Sequence, residues 1–333
     1  MAYQYIRSSR LIIGPAAGGN GIDLSNMHIT FNVARATIST PQTAHIRVYN
    51  LADTTVQQLF ALSPSAGQPD GGQVLLSAGY AGAVQGAQPG QVITPSANSQ
   101  ANVGLIFSGS IRQLVKGRES QTDTYVDIIA ADGDQPYNYG TINATLAAGW
   151  TQGDVADQLV QALGPFKITQ GVNAPLATTR NARGKVLYGM ARDVGRKLGA
   201  NNGCDWMLIN GQAVTISRSG ALPGAAFEIN EASGLIGYPQ QTLNGIEMQT
   251  LLNPNLVVGS IIRINNADII DFALSTDYTA TQFVPSTQND GYYRIYWLER
   301  QGDTRGNDWY NHIVCVGTSS PAPITSQYID TVG

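Results

Sequence analysis

The segment GSIRQLVKGRESQTDTYVDIIAADGD, residues 109–134, is similar to YRIYWLERQGDTRGNDWYNHIVCVG, residues 293–317. Each contains an apolar strand pattern, a turn rich in Arg, Gly and acidic residues, an Asp-x-Tyr triplet and a second apolar strand pattern. The spacing is nearly equal, with 14 positions from Ile111 to Tyr125 and 15 from Ile295 to Tyr310. This repetition predicts two related β-hairpins, and therefore a β-domain that occurs twice in the chain.

The second turn, GDTRGNDWY, also has the composition of a catalytic loop. A catalytic loop would not explain the related hairpin earlier in the chain, where Asp123 and Tyr125 correspond to Asp308 and Tyr310. A hairpin whose turn residues fix the strand register explains both segments. We therefore interpret one set of residues as structural hairpin positions with a possible interface role: Asp123, Tyr125, Asp303, Arg305, Asp308, Trp309 and Tyr310.

Alternation of apolar and polar residues predicts strands along most of the chain, as in HITFNVA from residue 28 and HIVCV from residue 312. Three helices are predicted, at residues 53–63, 151–163 and 184–199. Asp53 is the expected N-cap of the first, Thr151 and Asp154 have capping-box spacing in the second, and Gly199 is the expected C-cap of the third.

The predicted fold class is mainly β with a small α+β middle region. The predicted domains are a β domain at residues 1–135, a middle α+β domain at 136–225, a second β domain at 226–320 and a tail at 321–333. Residues 81–102 form a long segment without a charge inside the first domain. A loop of this length in a compact domain is either functional or disordered. Because it lacks the charges of most solvated linkers, we expect it to order against a neighbouring subunit, with a mobile surface loop as the alternative.

Composition limits the classes of function. Charged residues make up 13% of the chain, the net charge is −4, and arginine outnumbers lysine by fifteen to four. Few charges with a preference for Arg favour burial against partner proteins, while the acidic balance argues against tight nucleic-acid binding. No apolar run reaches the length of a membrane span, and the N-terminus lacks a signal-peptide pattern. Cys204 and Cys315 are expected to be reduced core residues of a protein folded in a cytoplasm.

No catalytic, cofactor or metal signature is found. His312 and Cys315 are three residues apart in a strand and so point to opposite faces, which prevents chelation of one ion. The DGDQ stretch from Asp132 lacks the later ligands of a calcium loop and is expected to be a solvated turn. Ser108 and Ser110 do not form a G-x-S-x-G elbow, and most aspartates occupy turn or cap positions. We therefore predict a protein that is not an enzyme and has no cofactor.

An ordered set of segments resembles the baseplate (tail-tip) hub proteins of bacteriophages, which are similar to the hub part of type VI secretion spike proteins. These segments are IRVYNLADTTVQQL (residues 46–59), AGY (78–80), IFSGSIRQ (106–113), DIIAADGD (127–134), INATLAAGWTQGD (142–154), RGKVLYGMARD (183–193), GCDWMLINGQAV (203–214), GLIGYPQQTLNGIEMQTLLNP (234–254) and GDTRGNDWY (302–310). They cover most of residues 22–317, whereas the residues after about 318 match nothing in the family.

The resemblance implies a homotrimer in which each chain has two tail-tube-like β-barrel domains embracing a helical middle domain. It would adapt a hexameric tail tube above to a trimeric central spike below, beside other baseplate proteins. DNA would pass through the lumen without specific binding during genome ejection. The implied location is the baseplate of a virion, in particular one with a contractile tail, assembled in the host cytoplasm. A plain tail-tube protein, a carbohydrate- or receptor-binding tail protein and a wall-degrading enzyme are the alternatives.

Overall fold

The structure is a computed structural model and describes residues 5–15, 20–38, 40–64, 71–82, 102–218, 220–222, 224–270, 287 and 290–318. The expected interface segment at 81–102 and the predicted tail at 321–333 lie almost entirely outside these residues. No helix in the described ranges combines the length and apolar character required to cross a bilayer.

The chain before residue 133 is mostly strands. They are β1 (Tyr5–Gly14), β2 (Ile22–Asp23), β3 (Ile29–Ala36), β4 (Gln42–Tyr49), β5 (Gln73–Gly82), β6 (Asn102–Arg118) and β7 (Thr124–Asp132), with helix α1 (Asp53–Phe60) between β4 and β5. Burial alternates along β3 and β4, so that Ile29, Phe31 and Val33 share the core face, as the alternating pattern predicts.

The middle of the chain mixes helices and short strands. It comprises α2 (Asp134–Tyr139), β8 (Thr141–Leu146), α3 (Gln152–Leu163), β9 (Thr169–Asn173), β10 (Lys185–Met190), α4 (Ala191–Asn201), β11 (Cys204–Ile209) and β12 (Gln212–Ser217). Strands β8 and β10 pair with each other, and β9, β12 and β11 form a separate sheet. Helix α3 has the predicted capping box, with the Thr151 hydroxyl and the Asp154 carboxylate each accepting from the other's backbone N–H.

The last part of the chain returns to strands. They are β13 (Phe227–Ile229), β14 (Leu235–Thr242), β15 (Gly245–Leu251), β16 (Ile261–Ile264), β17 (Tyr292–Asp303) and β18 (Trp309–Gly317). Short 3-10 helices occur at Gly164–Phe166, Glu231–Ser233 and Asn266–Asp268. The protein is thus mainly β, and its large sheet is a curled, antiparallel half-barrel.

One 13-stranded sheet contains strands from both ends of the chain, in the order β14-β15-β18-β17-β3-β4-β7-β6-β5-β1-β2, with β16 also on β17 and β13 on β16. Strands β3 to β7 lie in the spatial order β3-β4-β7-β6-β5, and β14 to β18 in the order β14-β15-β18-β17-β16. If the strands of each set are numbered by their order in the chain, both sets have the same spatial order: first, second, fifth, fourth, third. We name them the first unit (β3–β7) and the second unit (β14–β18).

The two units have separate apolar cores. The first core is built around residues such as Ile46, Leu76 and Ile128, and the second around Ile262, Ile295 and Leu298. Three smaller clusters fill the middle region. The domain boundaries at 135, 225 and 320 remain predictions.

Three expectations about helix ends were wrong. Residues 185–190 form strand β10 instead of the start of a helix, because Gly189 has a φ of 126°, which no α-helix accommodates, and this segment pairs with β8. Helix α4 continues past Gly199 to Asn201, and Gly199 instead allows close approach of the Cys204 carbonyl. Asp53 lies inside α1, where its carboxylate meets Lys116 at 3.0 Å, and Ala52 is the N-cap.

Asp132 also departs from the expected solvated turn. It ends β7 with only 2% of its surface exposed, and its carboxylate accepts from the backbone N–H of Asn210 at 2.7 Å. Burial raises the pKa of Asp132, while the charge of Arg35 and the N–H groups of Asn210 and Gly211 act to lower it. The expected solvated turn was therefore wrong: only Gly133 is a turn residue, Asp134 and Gln135 begin helix α2, and long-range contact with the β11–β12 turn buries the Asp132 carboxylate.

Candidate functional site: the two hairpin tips

The first hairpin joins β6 to β7 through a tip at residues 119–123, and Asp123 organises it. The Asp123 carboxylate accepts a hydrogen bond from the Ser120 hydroxyl at 2.8 Å and from the Asn50 side-chain amide at 3.2 Å. These bonds, that of Ser120 first, lower the pKa of Asp123. Asn50 also accepts from the backbone N–H of Thr124, so the tip is tied to the end of β4.

The second hairpin joins β17 to β18 through a tip at residues 304–308, and Asp303 organises it. The Asp303 carboxylate accepts from the backbone N–H groups of Arg305 and Gly306 and lies against His28 Nε2, each at 2.8 Å. Burial acts to raise the pKa of Asp303, but these three contacts outweigh it and leave the pKa lowered. Asp303 thus closes its own turn and binds the start of the first unit.

Asp123 and Asp308 correspond in the sequence but differ in role. Asp308 is exposed, and its contribution to the hairpin is its backbone carbonyl, which accepts from the Asp303 N–H at 2.7 Å. The carboxylate that organises the second tip is Asp303, on the other side of the turn. The aspartate that organises the tip therefore lies next to the second strand in the first hairpin and at the end of the first strand in the second hairpin.

Both hairpins have a β-bulge at the equivalent place, which supports their relationship. In the first hairpin the register shifts between Ile111 and Gln113, and in the second it shifts between Ile295 and Trp297. Ile111 and Ile295 are the positions that the sequence comparison pairs. The prediction that both segments form hairpins is confirmed, and the bulge increases the local twist in each.

A row of side chains connects the two tips across the end of the sheet. His28, which contacts Asp303, stacks on Tyr49 with ring centroids 4.4 Å apart, and Tyr49 meets Tyr125 edge-on at 6.4 Å. The Arg47 guanidinium lies 3.9 Å from the centroid of the Tyr125 ring and binds the Asp127 carboxylate through two bonds of 2.7 and 3.0 Å. The tips of both hairpins therefore lie at the same end of the sheet.

The other predicted residues of the second tip divide between surface and core. Arg305 and Asp308 are exposed, and Tyr310 is half-buried. Trp309 is 1% exposed and packs edge-on against Phe31 in the first core, with centroids 5.4 Å apart. The Arg7 guanidinium donates to the carbonyls of the tip residues Gly306 and Asn307, at 2.7 and 2.9 Å. The second hairpin is consequently anchored in the first unit.

Buried arginines were missed by the sequence analysis. Arg294 is 2% exposed and donates to three carbonyls of the middle region, those of Ser217, Arg218 and Gly220, at 2.5 to 2.7 Å. Arg35 and Arg300 are buried between the two cores. The signal that could have found them is a charged residue at an inward position of an alternating strand, as in Leu298-x-Arg300.

The described residues hold no cluster of three or more His, Cys, Asp or Glu side chains placed to bind a metal ion. Cys204 and Cys315 are both free and buried, as predicted. Burial raises the pKa of the Cys315 thiol far above its ordinary value, and its Sγ donates to the Ile246 carbonyl. Four aromatic residues could form a sugar-binding platform in a carbohydrate-binding protein. Of these, Trp309 and Tyr293 are buried in the cores, Trp297 is half-buried and Tyr292 is 37% exposed.

Comparison with solved structures identifies the fold. The 43 kDa tail protein of prophage MuSo2 from Shewanella oneidensis superposes with a TM-score of 0.55 at 10% identity, covering 96% of this chain and all of that one. A tail protein from Neisseria meningitidis gives a TM-score of 0.53, also at 10% identity, with the same coverage. The chain has a tail-protein fold. The resemblance found in the sequence is thus confirmed as a likeness in fold.

A component of the type VI secretion system of E. coli, described as similar to bacteriophage T4 tail proteins, gives a TM-score of 0.47 at 11% identity. That alignment covers 89% of this chain and 76% of that one. No protein-family model and no curated protein sequence matches the chain.

Proposed function

We propose that this protein is a structural hub of a phage tail baseplate. Three copies would adapt a sixfold tail tube to a threefold central spike, in contact with other baseplate proteins, and would surround part of the channel through which DNA leaves. The protein would be assembled in the host cytoplasm, reside in the virion tail and carry out no catalysis. The tail-protein fold supports this role, and the duplicated five-strand unit is the observation that carries it.

The duplication provides a route from threefold to sixfold symmetry. Within the chain, residues Trp297–Asp303 of β17 pair along one edge with β3, so that the first unit is attached to the second. The equivalent edge in the first unit is the end of β6, where β5 pairs only as far as Ser110. Residues 113–118 of β6 pair with β7 on one side. On the other side, no strand of the described residues pairs with them.

The strand equivalent to β3 in the second unit is β14, and it lies at one end of the sheet. Both strands have eight residues. The backbone of Ile270 forms hydrogen bonds with Pro239 and Gln241 and so covers part of the outer edge of β14. Near Tyr238, no strand of the described residues pairs with this edge of β14. We infer that β14 of one copy lies along the end of β6 of the next, repeating the β3–β17 contact between chains.

Three chains joined in this way would place six related units around an axis. In this arrangement the first and second units would belong to the predicted barrel domains at residues 1–135 and 226–320. These two domains would embrace the middle domain at 136–225. The exposed Arg305 and Asp308 at the second tip, and Asp123 at the first, would lie at one end of the ring and face a neighbouring protein. A bore with few lysines would let DNA pass without adhering.

Cross-linking between copies tests this arrangement. Val115 on the free edge of β6 is 39% exposed and Tyr238 on β14 is 67% exposed. In a V115C/Y238C variant, a short bis-maleimide should produce covalent dimers and trimers, and native mass spectrometry should show a trimer. Val172 is 45% exposed in the middle region, so V115C/V172C is a matched control that should not cross-link.

Assembly can depend on a neighbouring ring, so the same cross-linking is repeated in purified tails. Electron microscopy of those tails should place three copies around an axial channel. A chain that stays monomeric both alone and in the particle, or that surrounds no channel, would contradict the proposal. Binding of glycans by a stable monomer would favour the receptor-binding alternative.

A further inference from the structure

A row of buried polar residues separates the two apolar cores although the sheet is continuous. Thr250, Asn311 and Arg300 are paired across β15, β18 and β17, and they are 2%, 0% and 1% exposed. Arg35, at 4% exposure, faces the same side from β3, where it pairs with Leu298. We call these four residues the polar belt. It lies where the first unit joins the second.

The polar belt has buried polar atoms without partners among the described residues, namely Asn311 Oδ1, Thr250 Oγ1 and three guanidinium nitrogens, so unpartnered donors outnumber unpartnered acceptors. Arg300 donates through Nη2 to the Leu256 carbonyl at 2.5 Å, but its Nε and Nη1 have no hydrogen-bond partner among the described residues. Arg35 donates through Nη2 to Asn210 Oδ1 at 2.8 Å, and its Nε is likewise unpartnered within those ranges. Leaving such donors buried without acceptors costs free energy.

The polar belt also has an excess of positive charge. Asp132 is the carboxylate whose charge acts on Arg35, and the charge that acts on Arg300 is that of Arg35 itself. Burial, followed by repulsion from Arg35, lowers the pKa of Arg300 to about 9, so Arg300 still carries its charge at neutral pH. A buried water molecule would supply hydrogen-bond acceptors but would not neutralise this charge.

We propose that the polar belt binds a small monovalent anion of the halide class, held by the unpartnered N–H groups of Arg300 and Arg35. An anion there would accept hydrogen bonds and offset the repulsion between two arginines that belong to different units. The two arginines that would hold it are 1% and 4% exposed, so we do not expect a phosphate group or a peptide carboxylate on a larger molecule to reach them. The anion would therefore act as a structural bridge between β3 and β17.

Anion exchange at constant ionic strength tests the proposal on the full-length protein. Replacing gluconate, which is too large for the site, by chloride should raise the midpoint of thermal unfolding by about 1–3 °C per tenfold increase in chloride. The R300M variant should lose this dependence. R294M removes another buried arginine, whose Nη1 and Nη2 donate to three carbonyls although its Nε has no partner among the described residues. Because Arg294 lies outside the polar belt, R294M should keep the dependence although it is less stable.

Crystals of wild-type protein refolded in bromide give a readout that needs no variant. An anomalous peak within hydrogen-bonding distance of Arg300 Nη1 and Arg35 Nε is the expected result. Equal unfolding midpoints in chloride and gluconate, or density for water without an anomalous signal at that position, would overturn the assignment.

Discussion

The ring of Tyr125 occupies the space beside Gly117 across the first hairpin, so that a Cβ atom on Gly117 would stand 2.2 Å from Tyr125 Cζ. The second hairpin has the same device, because a Cβ on Gly302 would stand 2.2 Å from Phe31 Cζ, on the adjacent strand. In each case an aromatic ring covers a glycine near the tip. In the first unit, the ring of Tyr125 belongs to the same hairpin as Gly117. In the second unit, the ring that covers Gly302 is that of Phe31, which belongs to the first unit.

Substitution of Gly117 by alanine should therefore destabilise the first hairpin. We expect G117A to lower the free energy of unfolding by about 1–3 kcal/mol, because the Tyr125 ring has to move away from the strand. Urea denaturation followed by fluorescence measures this effect. Gly164 provides the control, because it has an α-helical φ of −53° and a Cβ added there would meet no atom within 4 Å. G164A should be neutral or slightly stabilising.

Asp303 should contribute stability that depends on pH. Its pKa is lowered in the folded protein, so its contribution is present above the unfolded pKa of about 4 and is lost as the pH falls through the folded value. We expect D303N to cost roughly 1–3 kcal/mol at pH 7, with a difference from wild type that shrinks below about pH 4. The measurement is chemical denaturation at several pH values.

The neighbouring substitution D308N serves as the control for Asp303. The Asp308 side chain is exposed, and its backbone carbonyl bond to the Asp303 N–H is retained in the variant. D308N should change the free energy of unfolding by less than about 0.5 kcal/mol. Equal effects of D303N and D308N would show that the Asp303 carboxylate does not organise the second tip.

Arg294 should fasten the second unit to the middle region. Replacement by methionine keeps an unbranched side chain but removes the donors for the carbonyls of Ser217, Arg218 and Gly220. We expect R294M to cost at least about 2 kcal/mol, since buried acceptors lose their partners. Hydrogen exchange should then show faster exchange in β12 and at the start of β17 than elsewhere, whereas uniform acceleration would contradict a local role.

The capping box of α3 offers a test of a contact that the sequence already indicates. T151A removes the hydroxyl that accepts from the Asp154 N–H and should cost about 1 kcal/mol of stability. Asp157 is exposed on the same helix, and D157N should leave stability nearly unchanged. Thermal unfolding of the two variants against wild type measures the difference, and equal midpoints for T151A and wild type would contradict the role of the cap.

The sequence by itself determined the local elements whose signals are contained within a few residues. Alternation at β3 and β4 placed the core faces correctly, and Thr151 with Asp154 located the start of α3. Nearly equal spacing in two distant segments indicated the repeated hairpin. These patterns follow from the periodicity of a strand and from the orphan N–H groups of a helix terminus, which depend on neighbouring residues alone.

The tertiary structure alone decided which distant residues meet. Pairing of β17 with β3 merges the two units into one sheet, and it brings Arg35 and Arg300 from distant parts of the chain to the same buried face. The same long-range packing turned residues 185–190 into a strand, buried Asp132 against Asn210, and made Asp303 rather than Asp308 the organiser of the second tip. A charge or a turn residue acquires such a role from partners far away in the chain, and short-range patterns do not encode that proximity.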